Sequence, residues 1–281
     1  MVADPPPSVG AALALARRLG VARLDAQWLL TALLRQPRSW LLAHDDAPLD
    51  PALARACLAA LQRRAAGEPL AYVLGETRFC GLDLNVTPAV LIPRPETELL
   101  VDWAIEALQP QPAPKVLDLG TGSGAIVLAV GQRRPDAVLH ASDLSAEALA
   151  VARANADRLG RRVAFAQGPW WQPWAGQPFD LVLANPPYIA AGDPHLAALH
   201  HEPQLALSPG GDGLEAIRQI AVGAAPQLAA GAWLLFEHGH DQGPATRALL
   251  ESAGFARVET RADLAGLPRC TGGQWSSRAR T

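Results

Sequence analysis

Cysteine is scarce in this chain. Cys57, Cys80 and Cys270 stand far apart in 281 residues, with no CxxC among them. An odd, scattered set excludes a disulfide framework and a cysteine-ligated zinc site. It fits a reducing cytosol, so the expected location is cytoplasmic. Net charge is small too, at -3, which excludes a strongly basic nucleic-acid binder on composition and leaves only a local basic patch as an option. Lysine is almost missing: of 24 basic residues only Lys115 is one. With abundant Ala, Pro and Gly, that scarcity reads as coding bias and carries no mechanism.

Long apolar runs are also lacking. Residues 219–236 carry no charge for 18 positions, the lower limit for a membrane-spanning helix. The stretch contains Gln219, Gly223, Pro226, Gln227 and Gly231, so it reads as a helix end, a glycine turn and a buried strand at 233–236. The opening MVADPPPSVG has no basic n-region and no apolar h-region, so no signal peptide is expected. An apolar fraction of 49% with 18% charged excludes a disordered chain. The length allows about two domains at ~100–200 residues each.

Residues 8–66 read as helices punctuated by Pro37, Pro48 and Pro51 and stopped by Gly67. Leu24, Trp28, Leu29 and Leu33 recur at helical spacing, as do Leu53, Cys57, Leu58 and Leu61. Residues 78–92 alternate instead, with Phe79, Leu82, Leu84 and Val86 on one face of a strand or hairpin and Asp83 and Asn85 on the other. Pro95 suits the first turn of a new helix, and 110–114 (PQPAP) is a loop. From Lys115 onward, strands at 115–119, 138–142, 163–167, 179–184, 232–237 and 255–261 alternate with helices at 124–133, 145–159, 213–229 and 243–253. That order predicts a parallel, doubly wound sheet, with 267–276 as a last strand at its edge.

A glycine turn between the first of these strands and its helix, DLGTGSGA at 118–125, lets a ligand approach the backbone closely. Gly120, Gly122 and Ala125 also match the looser dinucleotide fingerprint, so the loop alone says only that a nucleotide-like ligand sits at the strand end. Asp143 ends the second strand, 19 residues past Gly124. A carboxylate there can accept from both hydroxyls of a ribose, the favoured reading; the alternative is the N-terminal charge of the helix at Ser145.

Asn185-Pro186-Pro187-Tyr188 follows the buried strand ending at Ala184, on the side of the sheet where open α/β folds bind ligands. The prolines stiffen the loop and lack N–H, so the backbone presents acceptors without competing donors. The Asn185 side-chain oxygen and a nearby backbone carbonyl can together receive both hydrogens of a planar NH2 group, and Tyr188 offers a flat face. Such a site suits a weak nitrogen nucleophile. As a methyl group arrives, positive charge grows on the nitrogen, and fixed acceptors stabilise it preferentially in the transition state.

At these residues the chain resembles the class I S-adenosylmethionine-dependent methyltransferases, and more narrowly the release-factor glutamine methyltransferases (the PrmC/HemK family). The resemblance covers nearly the whole chain: the N-terminal helices, GEPLAYVLGETRFCGLDL at 67–84, LIPRPETE at 91–98, DLGTGSGAI at 118–126, NPPYI at 185–189 and EPQLALSPGGDGL at 202–214. It implies an α/β fold with a seven-stranded Rossmann-like sheet. It divides the chain into a helical substrate-recognition domain at 1–77, a β-hairpin linker at 78–94 and a methyltransferase domain at 95–281. It implies methyl transfer to the glutamine amide of the GGQ tripeptide of class-1 peptide-chain release factors, with no membrane, no metal and no nucleic-acid substrate.

Carried onto this sequence, the cofactor contacts fall on Gly120, Thr121, Gly122, Ser123, Gly124, Asp143 and Asn185, with the adenine near Trp170. Asn185, Pro186 and Tyr188 become the catalytic residues, and Asn185, Pro186, Pro187 and Tyr188 hold the substrate. Two places depart from the family. Pro169 stands where an acidic residue often precedes the aromatic one, with Trp171 and Trp174 crowding nearby. His200-His201 precede Glu202 where a longer segment with a basic or aromatic residue is common. The same NPPY loop serves ribosomal-protein glutamine methylation or adenine N6 methylation. A non-catalytic module that binds a release factor or the ribosome is the rival from another class.

Other signals read as structural. His238 and His240 point opposite ways if the strand continues, so a metal there is not expected. Gly272-Gly273-Gln274 copies the substrate tripeptide by chance in a strand. Trp28 and Trp103 sit at helical core spacing. Arg17-Arg18, Arg63-Arg64, Arg133-Arg134 and Arg161-Arg162 are solvated helix ends rather than nucleic-acid contacts.

Overall fold

The computed structural model describes residues 4–108 and 111–276, so Pro110 of the loop expected at 110–114 lies outside the described residues. By internal contacts the chain forms two compact units, Met1–Glu76 and Thr77–Thr281. No helix among the described residues is long and apolar enough to cross a membrane.

The first unit contains five helices: α1 (Val9–Arg18), α2 (Arg23–Leu34), α3 (Arg38–Ala43), α4 (Pro51–Ala65) and α5 (Leu70–Leu74). Ser8 caps α1 by accepting from Ala11 N–H, and Asp50 caps α4 by accepting from Ala52 and Leu53 N–H. Helix α2 buries Ala26, Leu29 and Leu30. Leu24 and Trp28, expected in this core by their spacing, are instead exposed, Trp28 by 52%. At about 100° per residue these two fall on the face of α2 opposite Ala26 and Leu30. Spacing identified a stripe and missed that a second stripe carries the contacts.

The second unit opens with a hairpin, β1 (Glu76–Phe79) and β2 (Leu82–Asn85). Its two-residue turn places Cys80 and Gly81 at φ 48° and 78°, the primed-turn geometry that matches strand twist. Phe79, Leu82 and Leu84 are buried in the same cluster as Trp103 and Val127. A 3-10 turn (Pro95–Thr97) then runs into α6 (Glu98–Ala107).

Strand–helix alternation follows as expected: β3 (Lys115–Leu119), α7 (Ala125–Arg133), β4 (Val138–Asp143), α8 (Ala146–Arg158), β5 (Val163–Gln167) and β6 (Phe179–Ala184). After short α9 (His195–Ala198) and α10 (Gln204–Leu207) come α11 (Glu215–Gly223), β7 (Leu228–Glu237), α12 (Gly243–Ser252), β8 (Phe255–Ala262) and β9 (Pro268–Trp275). The seven-stranded sheet has the order β5-β4-β3-β6-β7-β9-β8. Order reverses at β3, between the β3–β4–β5 half and the β6–β7 half, which opens a crevice at the strand ends.

The sheet is not wholly parallel: β9 runs antiparallel to both β7 and β8. Nor is β9 the edge. It is inserted between those two strands, and β8, with exposed Ala256, Arg257 and Glu259, is the edge that faces water. Gly272 and Gly273 make the insertion possible: a Cβ on the first would stand 2.3 Å from Leu235 and on the second 2.8 Å from Phe255. Finally, the helix expected at 213–229 ends at Gly223, where a Cβ would strike Trp171, and Pro226 sits in a 3-10 turn (Ala225–Gln227). The glycine turn before the strand is a bulge inside β7. Its register against β6 jumps from Phe179↔Leu228 to Leu181↔Trp233, with Gly231 at φ 81°.

The arginine pairs at two helix ends are engaged by carboxylates: Arg63 by Glu68, Arg64 by Asp25, Arg133 by Asp102 and Arg134 by Asp136. Trp103, unlike Trp28, is fully buried.

Candidate active site

The carboxyl ends of β3, β4 and β6 open on one cavity of about 690 Å³, a size that fits a nucleoside-sized ligand. The glycine loop forms one wall. Gly120 and Thr121 donate to Ser142 O at 2.9 and 3.0 Å, which ties the loop to the end of β4. Gly120 and Gly122 take φ 73° and 54°, conformations costly for other residues. A Cβ on Gly122 would enter open space, and one on Gly120 would stand 3.5 Å from the Trp170 ring. Beneath the loop, Thr121 Oγ1 donates to Asp118 at 2.7 Å. Burial pushes the Asp118 carboxyl up to about 7, against the pull of that hydrogen bond.

Asp143 joins two walls. One of its oxygens accepts Gly122 N–H at 2.9 Å and the other accepts Ser145 N–H at 2.9 Å. Burial raises its pKa while these backbone bonds oppose the rise. Each oxygen keeps a further lone pair for a ligand hydroxyl. The helix-start role is thus observed, and it leaves acceptor capacity facing the cavity.

Trp170 holds φ 41° and donates from Nε1 to Gln219 Oε1 at 3.0 Å, which fixes the ring against Gly120. Pro169 also lines the cavity. Trp171 and Trp174 do not crowd it; both are buried in the core, packed with Phe179 and Ile217.

The Asn185–Tyr188 loop, the expected acceptor loop, is held from several sides. Asn185 Nδ2 donates to Thr97 Oγ1 at 3.3 Å. Gln242 Nε2 donates to Tyr188 O at 2.9 Å, and a Cβ on Gly213 would stand 2.3 Å from that same oxygen. Ile189 N–H donates to Leu207 O at 2.9 Å, and Ser208 Oγ donates to Ile189 O at 2.6 Å. Beside it, Arg94 pairs with buried Glu202, which also accepts Ile92 N–H at 3.1 Å. This clamp joins LIPRPETE to EPQLALSP. The His200 and His201 rings lie 4.1 Å apart, tilted against each other, just before it.

Of the residues named from the sequence, Gly120, Thr121, Gly122, Ser123, Asp143, Trp170, Asn185 and Pro187 line this cavity together. Gly124, Pro186 and Tyr188 are not part of its lining. Gly124 is packed against Leu128 and Ala152 as α7 begins, and Pro186 is buried. Burial pushes the Tyr188 hydroxyl up to about 12.

Asp118, Thr97, Glu202 and Gln242 carry no site role in the sequence reading, and Glu237 enters it only beside His238 and His240, where a metal is not expected. A detectable signal was there: Asp118 and Glu237 are carboxylates within or ending otherwise apolar strands, a costly placement. The remaining signals resolve structurally. Both ring nitrogens of buried His238 are engaged, by Gly239 O and Thr271 Oγ1. Gln274 donates to Gly231 O, so the Gly272-Gly273-Gln274 copy serves the bulge and the sheet.

Two family models match the chain, the PrmC N-terminal domain over residues 10–75 and the methyltransferase small domain over 97–216. A release factor glutamine methyltransferase of Bordetella pertussis is 50% identical over 257 residues, covering 90% of this chain and 95% of that protein. One of Burkholderia pseudomallei is 47% identical over 277 residues, covering 95% and 97%. A T. Thermophilus 16S rRNA methyltransferase in complex with AdoMet and guanosine aligns with a TM-score of 0.53. It is 17% identical and covers 71% of this chain and 49% of that one, a likeness of fold.

Proposed function

The chain belongs to the release factor glutamine methyltransferases, and from that membership we propose that it methylates the side-chain amide nitrogen of the glutamine in the GGQ tripeptide of class-1 peptide-chain release factors, with S-adenosylmethionine as methyl donor. The observation that carries this reading is Asn185. It follows β6 in the cavity formed with the glycine loop and Asp143, and its amide nitrogen is engaged by Thr97. That leaves its oxygen for a donor in the cavity.

The cavity fits the methyl donor. The open space over Gly122, the flat Trp170 ring beside Gly120 and the free lone pairs of Asp143 suit a methionine chain, an adenine and a ribose. When bound, S-adenosylmethionine supplies a methyl group activated by a sulfonium.

The remaining work falls to the protein. A glutamine amide nitrogen is a weak nucleophile because its lone pair is delocalised. Asn185 Oδ1 and a nearby backbone carbonyl of the loop accept its two hydrogens, holding the nitrogen in a near-attack position. As it takes positive charge, its N–H groups become stronger donors and these acceptors bind more tightly. Pro186 and Pro187 have no N–H, so these two positions add no competing backbone donor. No base is needed before attack, since a protonated amide is a strong acid that loses its proton to water.

A labelled-methyl assay tests the reading, with a purified release factor and with rRNA offered separately and the modified residue identified by mass. Label on the GGQ glutamine is the expected result. Label on RNA alone would overturn it.

A further inference from the structure

The acceptor loop needs its asparagine the right way round. A side-chain amide has two orientations of nearly equal shape, and only one presents oxygen to an incoming NH2 group. The other sets donor against donor. Thr97, which touches Asn185, cannot choose between them alone, because a hydroxyl both donates and accepts.

Behind Thr97 and Asn185 lies Glu237. It ends β7, whose register against β6 pairs Phe236 with Ala184, so Glu237 is the neighbour of Asn185 across the two strand ends. It is 2% exposed and is not part of the cavity lining, whereas Thr97 and Asn185 both are. Burial pushes its carboxyl up to about 7, and the polar side chains of Thr97 and Asn185 beside it pull the other way. One of its oxygens, Oε2, has no hydrogen-bond partner among the described residues. A buried carboxylate at this position costs desolvation that a leucine would not. The same strand-end turn supplies Gln242, which holds Tyr188 O and is itself oriented by Gly239 N–H at 2.9 Å. Residues 237–242 thus grip the acceptor tetrapeptide at its first and last members.

We propose that Glu237 is a positioning residue for methyl transfer, which sets the orientation of the Asn185 amide through Thr97. Once ionised, above about pH 7, this carboxylate only accepts, so the Thr97 hydroxyl donates to it. The Thr97 oxygen is then left to accept from Asn185 Nδ2, and Asn185 Oδ1 is turned toward the cavity. The proposal rests on the amide-acceptor role given to Asn185 above. The charged and titratable groups facing Glu237 are Arg269 and Cys270 of β9, Glu96 of the 3-10 turn and the Tyr188 hydroxyl.

The experiment measures kcat, KM for intact release factor and S-adenosylmethionine affinity in the wild type, Glu237→Gln, Asn185→Ala and the double variant, each with its melting temperature. Glu237→Gln should lower kcat by about 10²-fold, the scale of a misoriented contact, with cofactor affinity and KM within a few-fold. In the Asn185→Ala background the same substitution should cost nothing further, because there is no amide left to orient. Wild-type kcat in Glu237→Gln, or losses that multiply in the double variant, would overturn the proposal.

Thr97→Ser should keep most of the activity and Thr97→Val lose most of it; equal losses would also count against the relay. A measurement on the unmutated protein guards against a variant that does not fold. The Asn185 side-chain amide signals in ¹H–¹⁵N spectra, assigned by their loss in Asn185→Ala, should shift as Glu237 titrates, and signals indifferent to pH between about 5 and 9 would overturn the proposal. Wild type that binds the methyl donor but leaves release factor unmodified would instead overturn the functional reading, and the spectra would still decide the orientation.

Discussion

Asp143 accepts the backbone N–H of Gly122 at 2.9 Å, so the acid that ends β4 also fixes the curvature of the loop that ends β3. The two features that a sequence presents as separate, a glycine turn and a distant carboxylate, are one hydrogen-bonded unit. Removing either partner disturbs both walls of the cavity.

Asp143→Ala should therefore weaken S-adenosylmethionine binding by about 1.5–3 kcal/mol, the range for hydrogen bonds to a charged group. Titration calorimetry measures it. NADH should not compete; binding of NADH in place of S-adenosylmethionine would reassign the cavity to a dinucleotide.

Asn185→Ala should lower turnover by at least ~10²-fold, the scale of one lost preorganised contact. Cofactor affinity should change far less, since the substitution leaves the glycine loop, Asp143 and Trp170 intact. Single-turnover methylation at saturating cofactor separates the two quantities.

Glu202→Ala strips both Arg94 and Ile92 N–H of their acceptor. The expected loss of stability is about 2 kcal/mol, because the carboxylate is buried while Arg94 is partly solvated. Urea denaturation of the two proteins gives the difference directly.

The Asp118 carboxyl, raised to about 7, sets a pH dependence of stability with a definite sign. Between its ordinary value near 4 and about 7, the folded chain holds a proton that the unfolded chain has released. Stability from this group is thus fullest below about pH 4 and is lost as pH rises through 7. Asp118→Asn removes that slope. Subtracting the variant's stability curve from the wild type's should leave a difference that falls across this window and levels above it.

A chain beginning at Thr77 keeps Phe79, Leu82 and Leu84, which are buried in the core of the second unit. It should bind S-adenosylmethionine like the full chain yet methylate intact release factor poorly, because the helical unit is expected to supply the remote binding energy that holds the glutamine in place. Equal rates at substrate concentrations well below saturation would assign the helices another role.

Much of this protein was determined by the sequence alone. The alternation from Lys115 onward specified strands and helices because period-2 and period-3.6 apolar patterns bury different faces. The glycines at 120 and 122, Asp143 and Asn185 were legible because backbone freedom, charge and a proline-stiffened amide are local properties. Tertiary structure decided what depends on partners distant in the chain. Gly272 and Gly273 admit β9 between β7 and β8 only because Leu235 and Phe255 press on them. Trp28 faces solvent because Ala26 and Leu30 hold the opposite side of α2. Glu202 reaches Arg94 across 108 residues, and Glu237 meets Asn185 only through the pairing of β6 with β7. A side chain's hydrogen-bond partner is set by which strands lie side by side, and no local pattern carries that information.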